Sequence, residues 1–442
     1  KNMKSLEKRG KWNIIFFIIS YVINNLASGV LYDTYVNYLQ DVSTGIATSF
    51  WSFYGYATFI AAAILLLIPK AGYKKILMFC SLGTTAAFFS AVYINNAAIL
   101  YVSTLLALTG VQLHFIILSP FIAAYTEGMK EKGINWYTRT YYMGYIGYFL
   151  ATYLGGALVV KMFSMVAGIT FDAAKEATRF IEDMSGVMHS QYLQGNRIVL
   201  VMVGIVSLLS IIPILLIKEE KDDYQFEQSG DGISLKEKVS TSLKLLLRKE
   251  ARAYLLYWAF ISFAMGLFTS YYTVYLNRVL HIDKVTSSLL VSISYIAIVL
   301  FMFFTPFTVK KLGKKGTIVF TLLLSIPFML IIANGDKFGT LMVPIVGIAL
   351  FIRAGLANLS SPADSALSMD VVPKDLRPIY TALVNFTAGI VSIISGMFTG
   401  SILFVTLDGY RYAYYIAAVL YAIAAIILLI GLKGFKPADA DD

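Results

Sequence analysis

The chain has 442 residues, of which 58% are apolar and only 14% charged, with a net charge of +10 and a single cysteine. A soluble domain carries roughly a quarter charged residues, so this composition excludes an ordinary soluble fold. Cys80 alone cannot build a disulfide framework or a Cys-based metal site within one chain, and no metal or cofactor is expected.

A run of about 20 apolar residues crosses a bilayer. Twelve such runs follow one another, at 12–40, 47–69, 75–95, 98–126, 139–163, 197–217, 252–280, 285–309, 316–334, 338–368, 377–404 and 410–432. Lys and Arg gather between alternate runs, at 1–11, 70–75, 130–139, 218–252, 310–315, 374–377 and 433–436. This positive-inside pattern puts both termini in the cytoplasm. It also accounts for the basic excess without a nucleic-acid partner, as orientation and contact with anionic lipid. The first run follows a basic stretch, as a signal peptide would. It is far too long for one and lacks a small-residue cleavage site, so it reads as the first span. Residue 1 is Lys, and the numbered chain is expected to lack its natural start.

The expected organisation is a cytoplasmic N-terminus (1–11), a six-helix bundle (12–217), a cytoplasmic linker (218–250), a second six-helix bundle (251–432) and a cytoplasmic tail (433–442). An ionisable side chain at bilayer depth costs about 3 kcal/mol or more unless paired or hydrated, which makes each one a functional candidate. In span 1, Asp33 lies about 21 residues from the inner end, roughly 30 Å along the axis. It reads as a proton-coupling carboxylate, or as an ion pair sealing the outer gate. Asn24, Asn25 and Tyr32 share that span and could contact a polar solute or join helices. In span 4, His114 is either a solute contact or a hydrogen-bonded structural group. The outer loop 164–196 carries TFDAAKEATRFIEDM (170–184), whose charges at i+3 and i+4 support a solvated helix. It reads as an exposed insertion, with a cap over the outer mouth as the alternative.

After the polar run at 218–232, Ser234-Leu-Lys-Glu237 has the form of a capping box. Val239, Leu243 and Leu246 then recur on one face, as in an amphipathic helix lying on the membrane surface. Span 7 crowds Tyr271, Tyr272 and Tyr275, rings with hydroxyl tips suited to amphiphilic solutes. Span 10 carries Arg353, Asn358 and Asp364. A guanidinium keeps its proton and offers a fork of donors, so Arg353 reads as an anchor for an anionic solute group, or as the permanent partner of Asp33 or another buried acid. Asp364 follows eleven residues later, on nearly the same face of a continuous helix and roughly 16 Å away. It is a second candidate proton site.

The two halves repeat. Gly29-VLYDTYVNYLQ-40 aligns with Gly266-LFTSYYTVYLN-277, so that Asp33 stands opposite Ser270. Ser119-Pro120 matches Ser361-Pro362, and the loop KAGYKK (70–75) matches KKLGKK (310–315). Related halves around a midplane site are a common transporter plan.

Asp370-Val-Val-Pro373-Lys-Asp-Leu-Arg377 resembles the D-x-x-P-x-x-x-R turn of the major facilitator superfamily (MFS). Glu127 to Arg139 is its weaker counterpart in the first half. Lys70, Gly72, Lys74 and Lys75 approximate that family's loop 2–3 signature, with Pro69 at its Asp position. Gly147-YFLATYL-Gly155-Gly156 is similar to the antiporter helix-5 motif, with Ala151-Thr152 replacing its Gly-Pro. The resemblance implies an all-α membrane protein, twelve transmembrane helices in two six-helix bundles related by pseudo-two-fold symmetry. Helices 1, 4, 7 and 10 would line a central cavity, and Asp33, His114, Arg353 and Asp364 all fall on them. Glu127, Arg139, Asp370 and Arg377 would be gate and structural residues.

It further implies a secondary active transporter, a monomer in the plasma membrane of a bacterium, moving a small organic solute by alternating access. Efflux by proton antiport is the leading expectation. Uptake of an organic anion or sugar-like solute by proton symport is the alternative, and a lipid flippase a third. No P-loop occurs. Tyr32-Asp33 resembles half of an intramembrane aspartyl protease whose partner motif is missing, so no enzyme is expected.

Overall fold

The computed structural model describes residues 3–126, 133–224 and 235–436. Backbone amides and carbonyls in lipid must be satisfied within the segment, and the apolar runs accordingly form helices; no strand occurs among the described residues. We label the spans α1 (Glu7–Val42), α2 (Phe50–Leu65), α3 (Tyr73–Tyr93), α4 (Ala97–Thr126), α5 (Asn135–Ala167), α6 (Gly186–Leu216), α7 (Lys249–Phe268), α8 (Lys284–Met302), α9 (Thr305–Ala333), α10 (Gly335–Asp370), α11 (Lys374–Val405) and α12 (Asp408–Gly431). Eleven are long and apolar enough to cross a membrane, and α2 is a shorter apolar helix.

The backbone packs as two units. One comprises Lys1–Glu227 with Leu276–Ser292, the other Gln228–Tyr275 with Ile293–Asp442. In the first, Phe17 and Tyr21 of α1 pack with Leu113, Ile117 and Phe121 of α4 and with Tyr73, Leu77 and Cys80 of α3. The Phe17 and Phe121 rings stack at 4.4 Å. Helix α5 lies against α1 where glycines remove side chains: a Cβ on Gly147 would stand 3.1 Å from the Val22 carbonyl oxygen. In the second unit, α7 packs on α11 and α12, and α9 on α10 and α12.

The chain leaving α6 fastens two helix starts. Asn13 and Lys218 exchange hydrogen bonds at 2.9 Å, Arg9 pairs with Asp223 at 2.8 Å, and the Glu219 carboxylate accepts the Lys74 amide at 2.8 Å. Ser234 of the expected capping box lies outside the described residues. The helix after it runs Leu235–Leu245 and leaves Val239 and Leu243 exposed, as a helix resting on a membrane surface would.

The insertion between α5 and α6 differs from the solvated helix expected of it. It folds as Phe171–Ala177, capped by Thr170, followed by a 3₁₀ turn Thr178–Asp183. The expected Glu176–Arg179 pair forms at 2.8 Å. However, Ala174 and Ile181 are buried against Val159, Val160, Phe163 and Tyr192. Charge spacing identified the outer side of this helix but not the apolar side beneath it.

The repeat is visible in the local backbone. Gly72 (φ 81°, ψ 165°) and Gly313 (φ 70°, ψ 172°) adopt one conformation, essentially confined to glycine. The Tyr38 hydroxyl donates to the Ala91 carbonyl at 3.3 Å, and its counterpart Tyr275 donates to the Ile332 carbonyl at 2.8 Å. Helix α1 contains a π-turn at Leu31–Tyr35, and the aligned stretch of the second half is where α7 stops at Phe268 before resuming at Tyr272. Both copies distort the helix at the same place.

The two glycines differ in surroundings, which gives a test. A Cβ on Gly72 would collide with the Glu219 carboxylate, whereas among the described residues nothing lies within 4 Å of one on Gly313. Gly313→Ala should cost only backbone strain, about 1–3 kcal/mol. Gly72→Ala should lower the melting temperature further in the same detergent. Equal melting temperatures for the two variants would contradict the placement of Glu219.

Candidate functional site

Asp33 sits inside the π-turn of α1, a feature often found at functional positions. Its side chain is buried and fully occupied. Lys284 Nζ donates to Oδ1 at 2.7 Å, Ser288 Oγ donates to Oδ2 at 2.9 Å, and Asn37 Nδ2 donates to Oδ1 at 3.3 Å. Lys284 is completely buried at the first position of α8, and its backbone amide is held by Thr178 Oγ1 at 2.9 Å. Ser288 lies one turn later on the same face. The insertion between α5 and α6 therefore positions the lysine that neutralises Asp33.

A second pair stands eight residues further along α1. Arg278 grips Asp41 with Nη2–Oδ2 at 2.7 Å and Nη1–Oδ1 at 3.2 Å, and reaches Glu182 at 2.6 Å. His189 Nε2 meets the same Asp41 at 3.1 Å. Asn277 donates to the carbonyls of Thr178 and Ile282. These bonds are why Leu276–Ser292, which belongs to the second repeat by sequence, packs with the first.

Sequence reasoning missed Lys284, Asp41 and Arg278. Asp41 falls just past the first apolar run and Lys284 just before the eighth, while Arg278 sits at the end of the seventh. Opposite charges at the ends of runs were the available signal.

In the second unit, helix α10 is not the continuous rod assumed for Arg353 and Asp364. It divides into Met342–Leu359 and Ser361–Asp370 at Ser360. Pro362 has no amide to continue the hydrogen-bond ladder, while Ser360 keeps right-handed helical angles (φ −78°, ψ −17°) and accepts the Asp364 amide at 2.8 Å. Asp364 is buried and takes hydroxyl donors from Tyr254 at 3.0 Å and from Tyr257. Arg353 is buried with its guanidinium 4.9 Å from the Phe268 ring centre and 5.5 Å from that of Tyr272, and it bonds the Tyr421 hydroxyl. Asp33 is paired with Lys284, and no acid of the second unit pairs with Arg353 among the described residues.

His114 is fully buried in α4, with Nε2 2.8 Å from Ser20 Oγ and its ring beside Phe17 and Tyr21. Asn25 and Asn358 turn back to bond Tyr21 and Ala354 of their own helices, and Asn24 is buried. Tyr32 meets Phe50 edge-on. Tyr271 packs on Phe404 and Tyr410, and Tyr275 is spent on α9. Of the three tyrosines expected from span 7, Tyr272 is the one whose ring faces Arg353. Asp370 pairs with Lys314 at 2.6 Å, and Arg377 Nε donates to the Met369 carbonyl at the end of α10. Arg139 lies over the Trp136 ring; Glu127 falls outside the described residues. No group of three His, Cys, Asp or Glu able to hold a metal occurs among the described residues.

No curated protein matches the chain in sequence. Among solved structures, the chain is similar to the nucleoside transporter NupG (TM-score 0.72, 14% identity, covering 96% of this chain and 100% of that one). It is also similar to a bacterial homologue of the human lysosomal transporter Spinster in an inward-facing state (0.66, 14%, 97% and 98%), and to a point variant of the E. coli fucose:proton symporter FucP (0.56, 17%, 95% and 97%). At these identities the likeness concerns the fold. The family model for the Major Facilitator Superfamily matches residues 11–396, nearly the whole span from α1 to α11, and the chain belongs to that superfamily of membrane transporters.

Proposed function

We propose that the protein is a proton-coupled secondary transporter that moves a small organic solute by alternating access, with Asp33 and Asp364 as its proton-carrying groups. The observation that carries this reading is the buried Asp33–Lys284 pair in the π-turn of α1. The pair joins α1 to Leu276–Ser292, a segment continuous at both ends with the second unit. Any rearrangement that withdraws this segment has to separate two buried charges. A proton on Asp33 cancels the attraction to Lys284 and permits the separation. Asp364 complements it: its two partners are neutral hydroxyls, so a proton is the counter-charge at hand.

The helix-5 glycines that suggested antiport have a packing explanation. Gly147 lies on α1, Gly155 lies by Thr34, and Gly156 lies by Ser288. One observation favours symport. Arg353 is a buried cation without an acid partner among the described residues, and carrying an anion together with a proton moves no net charge. The direction of flux under an imposed pH gradient separates the two.

Two outcomes test the role of Asp33. In proteoliposomes, Asp33→Asn should abolish solute movement driven by a pH gradient while leaving solute counterflow intact; unchanged gradient-driven movement would sink the proposal. For the pair itself, Asp33→Asn or Lys284→Met alone should each cost about 3–5 kcal/mol by stranding one buried polar group or charge. The double variant should be markedly more stable than the sum of the two losses, as read from melting temperatures in detergent.

A further inference from the structure

We infer that Arg353, together with the hydroxyls of Tyr272 and Tyr414, forms a binding site for the carboxylate of a small organic monoanion with an aromatic or apolar body. The inference deepens the transporter reading and rests on it only for the claim that the anion is carried across the membrane.

Four observations converge in the second unit. Arg353 is its one buried Lys or Arg among the described residues. Its charge is faced by the rings of Phe268 and Tyr272, and the Phe268 ring stacks on that of Tyr414 at 5.7 Å. Among the described residues, Arg353 Nε has no hydrogen-bond partner. The Tyr272 and Tyr414 hydroxyls, both near the guanidinium, have none among the described residues either.

A guanidinium donates only, and each tyrosine hydroxyl can donate one proton. Three unspent donor groups around a buried positive charge call for an acceptor bearing negative charge. The acid on the same helix does not supply it, because Asp364 is held by Tyr254 and Tyr257. Ring faces offset part of the cost of a buried cation but leave every one of those donors unused. Buried polar groups in native proteins are nearly always paired, and an exception asks for a reason. A carboxylate satisfies the set, since its two oxygens accept about four hydrogen bonds and match the planar fork of an arginine. A single cation selects a single negative charge over a dianionic phosphate. The surrounding rings select a body that can pack against them.

The test uses the full-length protein in detergent, with benzoate and hexanoate as carboxylate probes, benzamide as the uncharged mimic and inorganic phosphate as the alternative anion. Melting temperature against probe concentration should rise saturably with benzoate or hexanoate and stay flat with benzamide and phosphate. Arg353→Gln should abolish the rise. The double variant Tyr272→Phe/Tyr414→Phe keeps both rings and should weaken the apparent affinity roughly tenfold to a hundredfold. Arg353→Lys, which keeps the charge and loses the fork, should fall between wild type and Arg353→Gln.

A flat response to both carboxylates overturns the assignment, as does an equal response to benzamide or an undiminished response in Arg353→Gln. If Arg353→Gln does not yield a monodisperse protein, the tyrosine double variant decides, and an unchanged affinity there counts against the site. Carboxylate binding without gradient-driven carboxylate uptake in proteoliposomes would leave the site standing and remove the transport reading. Gradient-driven transport of another solute without carboxylate binding would do the reverse.

Discussion

Compensating charge in the absence of water is the constraint on which this structure turns. Asp33, Asp364 and Arg353, ionisable groups of the transmembrane helices, meet it in three ways. Asp33 is matched by a full opposite charge, with Ser288 completing its acceptors. Asp364 is solvated by tyrosine hydroxyls. Arg353 is covered by aromatic faces and one hydroxyl. The order is one of decreasing completeness, since an ion pair cancels charge, hydroxyls spread it, and ring faces leave its hydrogen-bond donors idle. The first arrangement ties α1 to the start of α8, and the last leaves the donors on which the inferred carboxylate site rests.

The internal repeat shows how one fold element was divided between these tasks. Helix α1 and the α7 segment are distorted at the same aligned stretch, and both keep the tyrosine that ties the following turn to a neighbouring helix end. In the first copy the distortion holds Asp33. In the second the aligned position is Ser270, and the neighbouring Phe268 and Tyr272 face Arg353 instead. The asymmetry between Asp33 and Ser270 thus separates a charge that joins segments from a surface that covers one.

Much of this was legible in the sequence for a simple reason. Apolar length, loop charge and the repeated glycines act locally, so the twelve helices, the matching loops at Gly72 and Gly313 and the family could be read directly. The partners of the buried charges could not. Lys284 precedes its apolar run by one residue and is joined to Asp33 only through three-dimensional packing. The stripe joining Arg353 to Asp364 assumed an unbroken helix, which Pro362 interrupts after Ser360. Tyr254 and Tyr257 carried no mark among 30 tyrosines. The insertion between α5 and α6 displayed its charges in the sequence but hid its role, because Thr178 acts through a hydroxyl and a carbonyl on Lys284 and Asn277.

These placements constrain how a proton could act. Protonating Asp33 while Lys284 stays at zero exposure would trade a matched pair for a stranded ammonium, a loss of about 3–5 kcal/mol. A proton arriving alone therefore gains little. The exchange becomes favourable only if Lys284 simultaneously reaches water or another acceptor, which requires movement of the segment that carries it. That segment is also held by the Arg278–Asp41 pair and by Thr178, at the same end of α1. On the proton-coupled reading proposed above, proton uptake and backbone movement are two halves of one step, because each is costly without the other. Such mutual dependence is what coupling a proton to a conformational change demands, and a fully hydrated Asp33 could not supply it.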